Sequence, residues 1–139
     1  TEGGLNVKKN KWLLKKIINK LKKNKIRVSL FVEPKLSDIK LSKILGANCV
    51  ELHTGKFCNL FNLKKDYSKE FDKIKKSSQF AKKIGLEVHA GHGLTYKSAY
   101  LVSKINCISE LNIGHFIVAE SLFVGLPNSI KKFRKILGY

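Results

Sequence analysis

Apolar residues recur along the 139-residue chain in two alternating rhythms, one of period near 3.6 and one of short β-branched runs. Over residues 8–24 the pattern places Leu13, Leu14, Ile17, Ile18 and Leu21 on one helical face with lysines opposite, and Asn24 stands where a helix stops. Residues 26–31 form a β-rich run that continues into Val32, Glu33 and Pro34, where proline ends any ladder for want of an N–H. Ser37 is placed to cap a short helix over 38–45, closed by Gly46. A strand over 48–52 follows and runs out through Glu51-Leu52-His53-Thr54-Gly55; residues 56–65 read as a loop. A long amphipathic helix covers 66–84, with Phe71, Ile74, Phe80, Ala81 and Ile84 facing inward and Gly85 as its stop. Then come a strand over 86–89, a helix over 96–105, a strand over 109–113 and an apolar helix over 116–124 expected to be buried. Pro127 suits the first turn of a last helix over 128–137, where Ile130, Phe133 and Ile136 keep the period.

Regular alternation of strand and helix argues for a single α/β domain over 1–139 with a parallel sheet. Four such β/α units amount to half of an eight-stranded barrel, which needs about 250 residues when complete. Every strand ends in polar or ionisable groups: Glu33; Glu51 and His53; His89 and His92; Asn112 and His115. A barrel brings all its strand ends to one rim, whereas an open doubly wound sheet converges only those beside its switch point. The expected architecture is therefore the C-terminal half of a (β/α)8 TIM barrel. Its third and fourth strands then stand as the seventh and eighth of the barrel, where loops commonly hold phosphate. Gly91-His92-Gly93 and Gly114-His115 are small, backbone-donating loops at those positions.

Composition adjusts the picture in three ways. The 28 basic residues against 10 acidic give a net charge of +18, which either marks a nucleic-acid-binding face or reflects lysine on every solvated helix face. Arginine occurs only at 27 and 134, and readers of bases and phosphates favour arginine interleaved with aromatics; no nucleic-acid partner is expected. The longest apolar run, about 116–126, is interrupted by Glu120, Ser121 and Gly125, so no membrane span is expected, and the start lacks the pattern of a signal peptide. Cys49, Cys58 and Cys107 are odd in number and lack zinc-knuckle spacing; Cys49 and Cys107 read as small core residues, and a reduced cytoplasmic setting is expected. The absence of methionine, including an initiator, suggests a piece of a longer protein or a processed product.

Two residues carry the strongest chemical signal. Glu51, at the end of an apolar strand, suits general acid/base work, against the alternative of a surface glutamate paired to lysine. His92, collared by two glycines, is placed to move protons near neutral pH, against that of a histidine bonded to backbone. His53, His89 and His115 are weaker candidates. His89, His92 and Glu51 together resemble a metal set only loosely, without the helical spacing of His-Glu-x-x-His, so no metal is expected. Lys56 is a candidate for a Schiff base or a phosphate contact among many solvated lysines. No Walker loop and no Gly-x-Gly-x-x-Gly is present.

Taken in order, Thr1-Glu2-Gly3-Gly4-Leu5, Val28-Ser29-Leu30-Phe31, Val50-Glu51-Leu52-His53-Thr54-Gly55, Ala90-Gly91-His92-Gly93-Leu94 and Glu110-Leu111-Asn112-Ile113-Gly114-His115 resemble the pyridoxine 5′-phosphate synthase family. The likeness covers essentially the whole chain but only the C-terminal half or so of the family's barrel. It implies condensation of 1-deoxy-D-xylulose 5-phosphate with 3-amino-2-oxopropyl phosphate to pyridoxine 5′-phosphate, with release of phosphate and water. It also implies no metal or organic cofactor, phosphorylated small-molecule substrates as partners, and self-association into octamers. By motif, Glu51 corresponds to the glutamate that stabilises the transition state and His92 to the proton-donating histidine. Gly93 corresponds to a substrate contact, and Gly114 and His115 to the pair that binds the aminoketone phosphate. The chain departs from the family at His89, where asparagine is usual, near Glu120, where the family usually has a basic residue, and at Glu33, where aspartate is commoner. The family's first half, with its own catalytic histidine and glutamate, has no counterpart in these residues, so the isolated chain is expected to be inactive. The rival readings are a non-catalytic basic half-barrel that binds phosphorylated ligands and a metal-dependent barrel lyase.

Overall fold

The computed structural model describes residues 3–139; Thr1 and Glu2, which head the first of the family-like stretches, lie outside the described residues. Among the described residues four strands form one parallel sheet: β1 (Ser29–Val32), β2 (Cys49–His53), β3 (Glu87–Gly91) and β4 (Glu110–Asn112). Their spatial order is β1-β2-β3-β4, with no reversal. Sequential order places every crossover helix on the same side, as in a barrel wall, whereas a doubly wound sheet reverses its order at a switch point. The register aligns Phe31, Glu51 and His89 across the first three strands, and Gly91 with Asn112 across the last pair.

Side chains alternate between the two faces because the strand period is two. Leu30, Val32, Val50, Leu52, Val88 and Ala90 lie in the core under the helices. Phe31, Glu51, His89 and Asn112 occupy the alternate positions, on the face that carries the polar groups. The helices are α1 (Lys11–Lys23), α2 (Leu36–Leu45), α3 (Gly55–Asn62), α4 (Ser68–Lys83), α5 (Tyr96–Ser103), α6 (His115–Val124) and α7 (Leu126–Leu137). Ile18, Ile39, Leu45, Phe57, Ile74, Ala99, Val102 and Phe133 carry them into the core. Asn24 and Gly46 end α1 and α2, and Pro127 lies in the first turn of α7, as expected.

Four expectations need correction. Residues 56–65 are not a loop: α3 covers Gly55–Asn62, and Phe57 and Cys58 anchor it in the core. Ser37 does not cap α2, which begins at Leu36 after Lys35. On α1 only Leu14 and Ile18 are buried, with Leu21 packed beside them. Leu13 and Ile17 remain exposed, because the 14-18-21 stripe alone faces the protein. The helix over 116–124 has no buried residue: Leu122 and Phe123 are 83% and 87% exposed. It follows the edge strand β4 and meets the core only through the partly buried Phe116 and Ile117, which leaves its other apolar side chains in solvent. Every lysine except Lys73 is exposed, which places the positive charge on solvated helix faces. No helix among the described residues is long and apolar enough to cross a membrane.

Candidate active site

The C-terminal ends of β2, β3 and β4 open on a cleft of about 870 Å³. Glu51, His92, Gly93, Gly114 and His115 all line it, with Phe31 and Asn112 beside them. Chain segments more than sixty residues apart meet here because parallel strands deliver their ends to the same side.

Glu51 lies on β2, and its carboxylate extends across to β3 over Gly91: a Cβ at Gly91 would overlap Oε1 of Glu51. Gly91 does not have a positive φ, so glycine is needed there for space and not for conformation. His92 follows with φ of +83° and Gly93 with +78°. A non-glycine residue in that region carries strain of about 1–3 kcal/mol and persists only where the surroundings enforce it. The enforcement is visible in Thr54, whose N–H donates to the Gly91 carbonyl at 2.9 Å. Its Oγ1 lies 2.8 Å and 2.6 Å from the carbonyl oxygens of Gly91 and His92. The end of β2 thus staples the loop that carries His92. Partial burial lowers the pKa of the His92 imidazole below its ordinary value, the like charges of His53 and His115 push it the same way, and Glu51 opposes them.

Gly114 precedes α6, whose first turn has no side-chain cap, and a Cβ at Gly114 would meet nothing within 4 Å. The N-terminus of α6, with its unpaired N–H groups and positive dipole end, therefore opens on the cleft beside His115. The first turn of α5 is closed by contrast: the Thr95 N–H donates to Ser98 Oγ at 2.8 Å, and the two hydroxyls are 3.1 Å apart. An anion entering the cleft finds free donors at α6 and fewer at α5.

Behind His92 sits His53, 9% exposed. Its Nδ1 lies 3.1 Å from Oε1 of Glu33, which also accepts the Gly4 N–H at 2.9 Å. Its ring stacks at a tilt against His92, with centroids 4.7 Å apart, and meets Phe31 edge-on. Glu33 and His53 stand among the strand-end groups of the sequence, but their pairing, and the contacts made by Thr54 and Phe31, leave no sign in hydrophobic spacing, which does not report a contact between neighbouring strands.

Two other candidates are spent elsewhere. Lys56 on α3 pairs with the buried Glu70 of α4 at 3.2 Å, alongside Lys73 at 2.8 Å. His89 is held by Glu87, with Nε2 to Oε1 at 3.1 Å, and stands 3.7 Å from Glu110 and 3.5 Å from Arg27; Arg27 and Glu87 form a further ion pair. His89 is thus bound into a charged cluster and is not aligned with His92 as a metal ligand. Among the described residues no group of three or more His, Cys, Asp or Glu is arranged to hold a metal ion.

Comparison with known proteins follows the same lines. Residues 1–139 match the family model described as pyridoxal phosphate biosynthesis protein PdxJ. A pyridoxine 5′-phosphate synthase of Pelagibacter ubique (strain HTCC1062) is 55% identical over 136 residues, covering 98% of this chain and 57% of the relative. Those of Prochlorococcus marinus (strain MIT 9211) and Sulfurihydrogenibium sp. (strain YO3AOP1) are 47% and 44% identical over 137 residues, each covering 99% of this chain and 56% of the relative. The chain therefore spans only a little over half the length of these curated relatives. With a family match along its whole length and a parallel-strand cleft lined by the residues that carry the motifs, the chain belongs to the PdxJ family of pyridoxal phosphate biosynthesis proteins.

Proposed function

We propose that this chain is the C-terminal half of a (β/α)8 barrel and carries part of the active site of a pyridoxine 5′-phosphate synthase. The substrates are 1-deoxy-D-xylulose 5-phosphate and 3-amino-2-oxopropyl phosphate. The observation that carries this reading is the shared cleft of Glu51, His92 and Gly114-His115, supplied by three different strands. The exposed apolar side chains of α6 and the outer edge of β4, which no further strand pairs among the described residues, support it, since a further β/α unit would cover both. Self-association of the completed barrel belongs to the same proposal.

In this reading the aminoketone phosphate sits at the α6 N-terminus, bonded by the backbone of Gly114 and His115 with Gly93 opposite. Condensing its amine with a carbonyl of the sugar phosphate forms a C–N bond and expels water. Protons must leave the nitrogen and reach the departing hydroxyl. The amine belongs to the substrate, so no catalytic lysine is required, in keeping with Lys56 being paired to Glu70. His92, neutral near pH 7, takes up a proton at the cleft and returns it to the leaving oxygen. Glu51, opposite, stabilises positive charge that develops on nitrogen.

The test is a chimaera that joins this chain to the part of the Pelagibacter ubique relative lying outside the match, assayed with both substrates. Formation of pyridoxine 5′-phosphate, sharply slowed but still measurable in Glu51→Gln and His92→Asn, supports the proposal. A well-folded chimaera that forms no product would overturn it.

A further inference from the structure

His53 has one nitrogen that the fold explains and one that it does not. Glu33 Oε1 can only accept, and it faces Nδ1 at 3.1 Å, so Nδ1 carries the proton. In neutral His53 that leaves Nε2 as a bare acceptor. Nε2 is buried and has no hydrogen-bond partner, alone among buried side-chain nitrogens and oxygens of the described residues. A buried polar atom left unpaired costs about 1–3 kcal/mol, so its isolation calls for a partner.

The nearest polar ring is His92. A point built as a Cβ on Gly55 lies 2.9 Å from His53 Nε2 and 2.8 Å from His92 Cδ2, so both atoms border the same small space at the start of α3. A half-turn of the His92 ring about its terminal torsion exchanges Cδ2 for Nδ1, and imidazole rings admit both orientations readily. We propose that His53 is a positioning residue for His92: in the working site His92 donates its Nδ1–H to His53 Nε2. The result is a chain from Glu33 Oε1 through His53 to His92 that leaves His92 Nε2 facing the cleft. Each carbonyl, carboxylate or imidazole in such a chain fixes the tautomer of the next ring, as the third member of a catalytic triad does. Gly55 is part of the device, because any side chain there would fill the space between the two rings.

The inference deepens the reading of His92 as the proton-moving group and rests on it for its purpose, but its test does not require turnover. The chain has four histidines, which makes long-range ¹H–¹⁵N correlation of ¹⁵N-histidine-labelled protein tractable at about pH 8, above the ordinary histidine pKa. The expected spectrum shows His53 and His92 both protonated at Nδ1, the tautomer that free imidazole side chains disfavour. His53→Gln, whose amide reaches the place of Nε2, preserves the Nδ1–H state of His92. His53→Asn, whose amide reaches only the place of Nδ1, abolishes it. If wild-type His53 or His92 is protonated at Nε2, or if both variants leave the His92 spectrum unchanged, the proposal is overturned. Should a variant fail to fold, the wild-type spectrum alone decides. An inactive chimaera with the predicted tautomers would sink the proposed function and spare this inference; an active one with the opposite tautomers would do the reverse.

Discussion

Gly91→Ala separates the role of space from the role of stability at the centre of the site. The new methyl group would overlap Oε1 of Glu51, the far end of a flexible side chain that can swing aside. It would also stand 3.0 Å from the Asn112 carbonyl oxygen and 3.1 Å from its Cβ. Those atoms belong to β4, a three-residue edge strand free to give by a few tenths of an ångström. The backbone of Gly91 is not in the left-handed region, so alanine adds no conformational strain. The fold should therefore lose about 1 kcal/mol, the low end of overpacking costs, and the melting temperature should fall by a few degrees. Function should lose far more, since a catalytic group displaced by about 1 Å can cost roughly 100-fold in rate. In the chimaera, kcat is expected to drop by about two orders of magnitude with KM little changed. On a Glu51→Gln background the same substitution should add almost nothing, because both act through one carboxylate. Retention of kcat within about twofold, a barrier change under 0.5 kcal/mol, would refute the placement of Glu51 over Gly91. Additive losses in the double variant would refute it equally.

Three further outcomes follow from the packing and charge. Burial pushes the Cys58 thiol above its ordinary pKa, with Thr54 and Ser98 opposing weakly; the less buried Cys107 should therefore react first with a thiol reagent in native protein, and equal rates would contradict the packing of α3. The Lys73 hydrogen bond, followed by Lys56, lowers the pKa of Glu70 against the effect of burial. A lowered carboxyl pKa adds stability that is complete above the unfolded value, near 4.3, and is lost as pH falls through the folded value. Glu70→Gln should thus cost of order 1 kcal/mol near pH 7 by chemical denaturation, with the deficit closing below about pH 4; a deficit independent of pH would contradict the pairing. Ile74→Ala, at a side chain 1% exposed between α4 and the sheet, should cost about 2–5 kcal/mol, with a smaller loss indicating a looser core.

The sequence made most of the scaffold legible because strands and helices announce themselves by period. The 3.6-residue rhythm of α4 and the apolar alternation of β1 to β3, at Leu30 and Val32, Val50 and Leu52, and Val88 and Ala90, are set by local spacing, and the glycine collar of His92 is visible in the sequence alone. What failed did so for identifiable reasons. In α3 the apolar positions 57, 58 and 61 span barely two turns, too few to distinguish a helix from a loop that begins at Gly55. The apolarity of α6 argues for burial, but burial requires a partner on every side, and α6 meets the core only through Phe116 and Ile117. Glu33 and His53 lie twenty positions apart and meet only because β1 and β2 pair in parallel. The same applies to Thr54 and the carbonyls of Gly91 and His92. Lys56, singled out for its place after Glu51, is turned by the helix toward Glu70.

The most direct measurement is a crystal structure of the completed barrel with 3-amino-2-oxopropyl phosphate bound. Its phosphate should accept hydrogen bonds from the backbone N–H groups of Gly114 and His115, with Gly93 within reach and the amine lying between Glu51 and His92. A phosphate lodged elsewhere, or an amine remote from both side chains, would contradict the convergence of these strand ends on a single reaction centre.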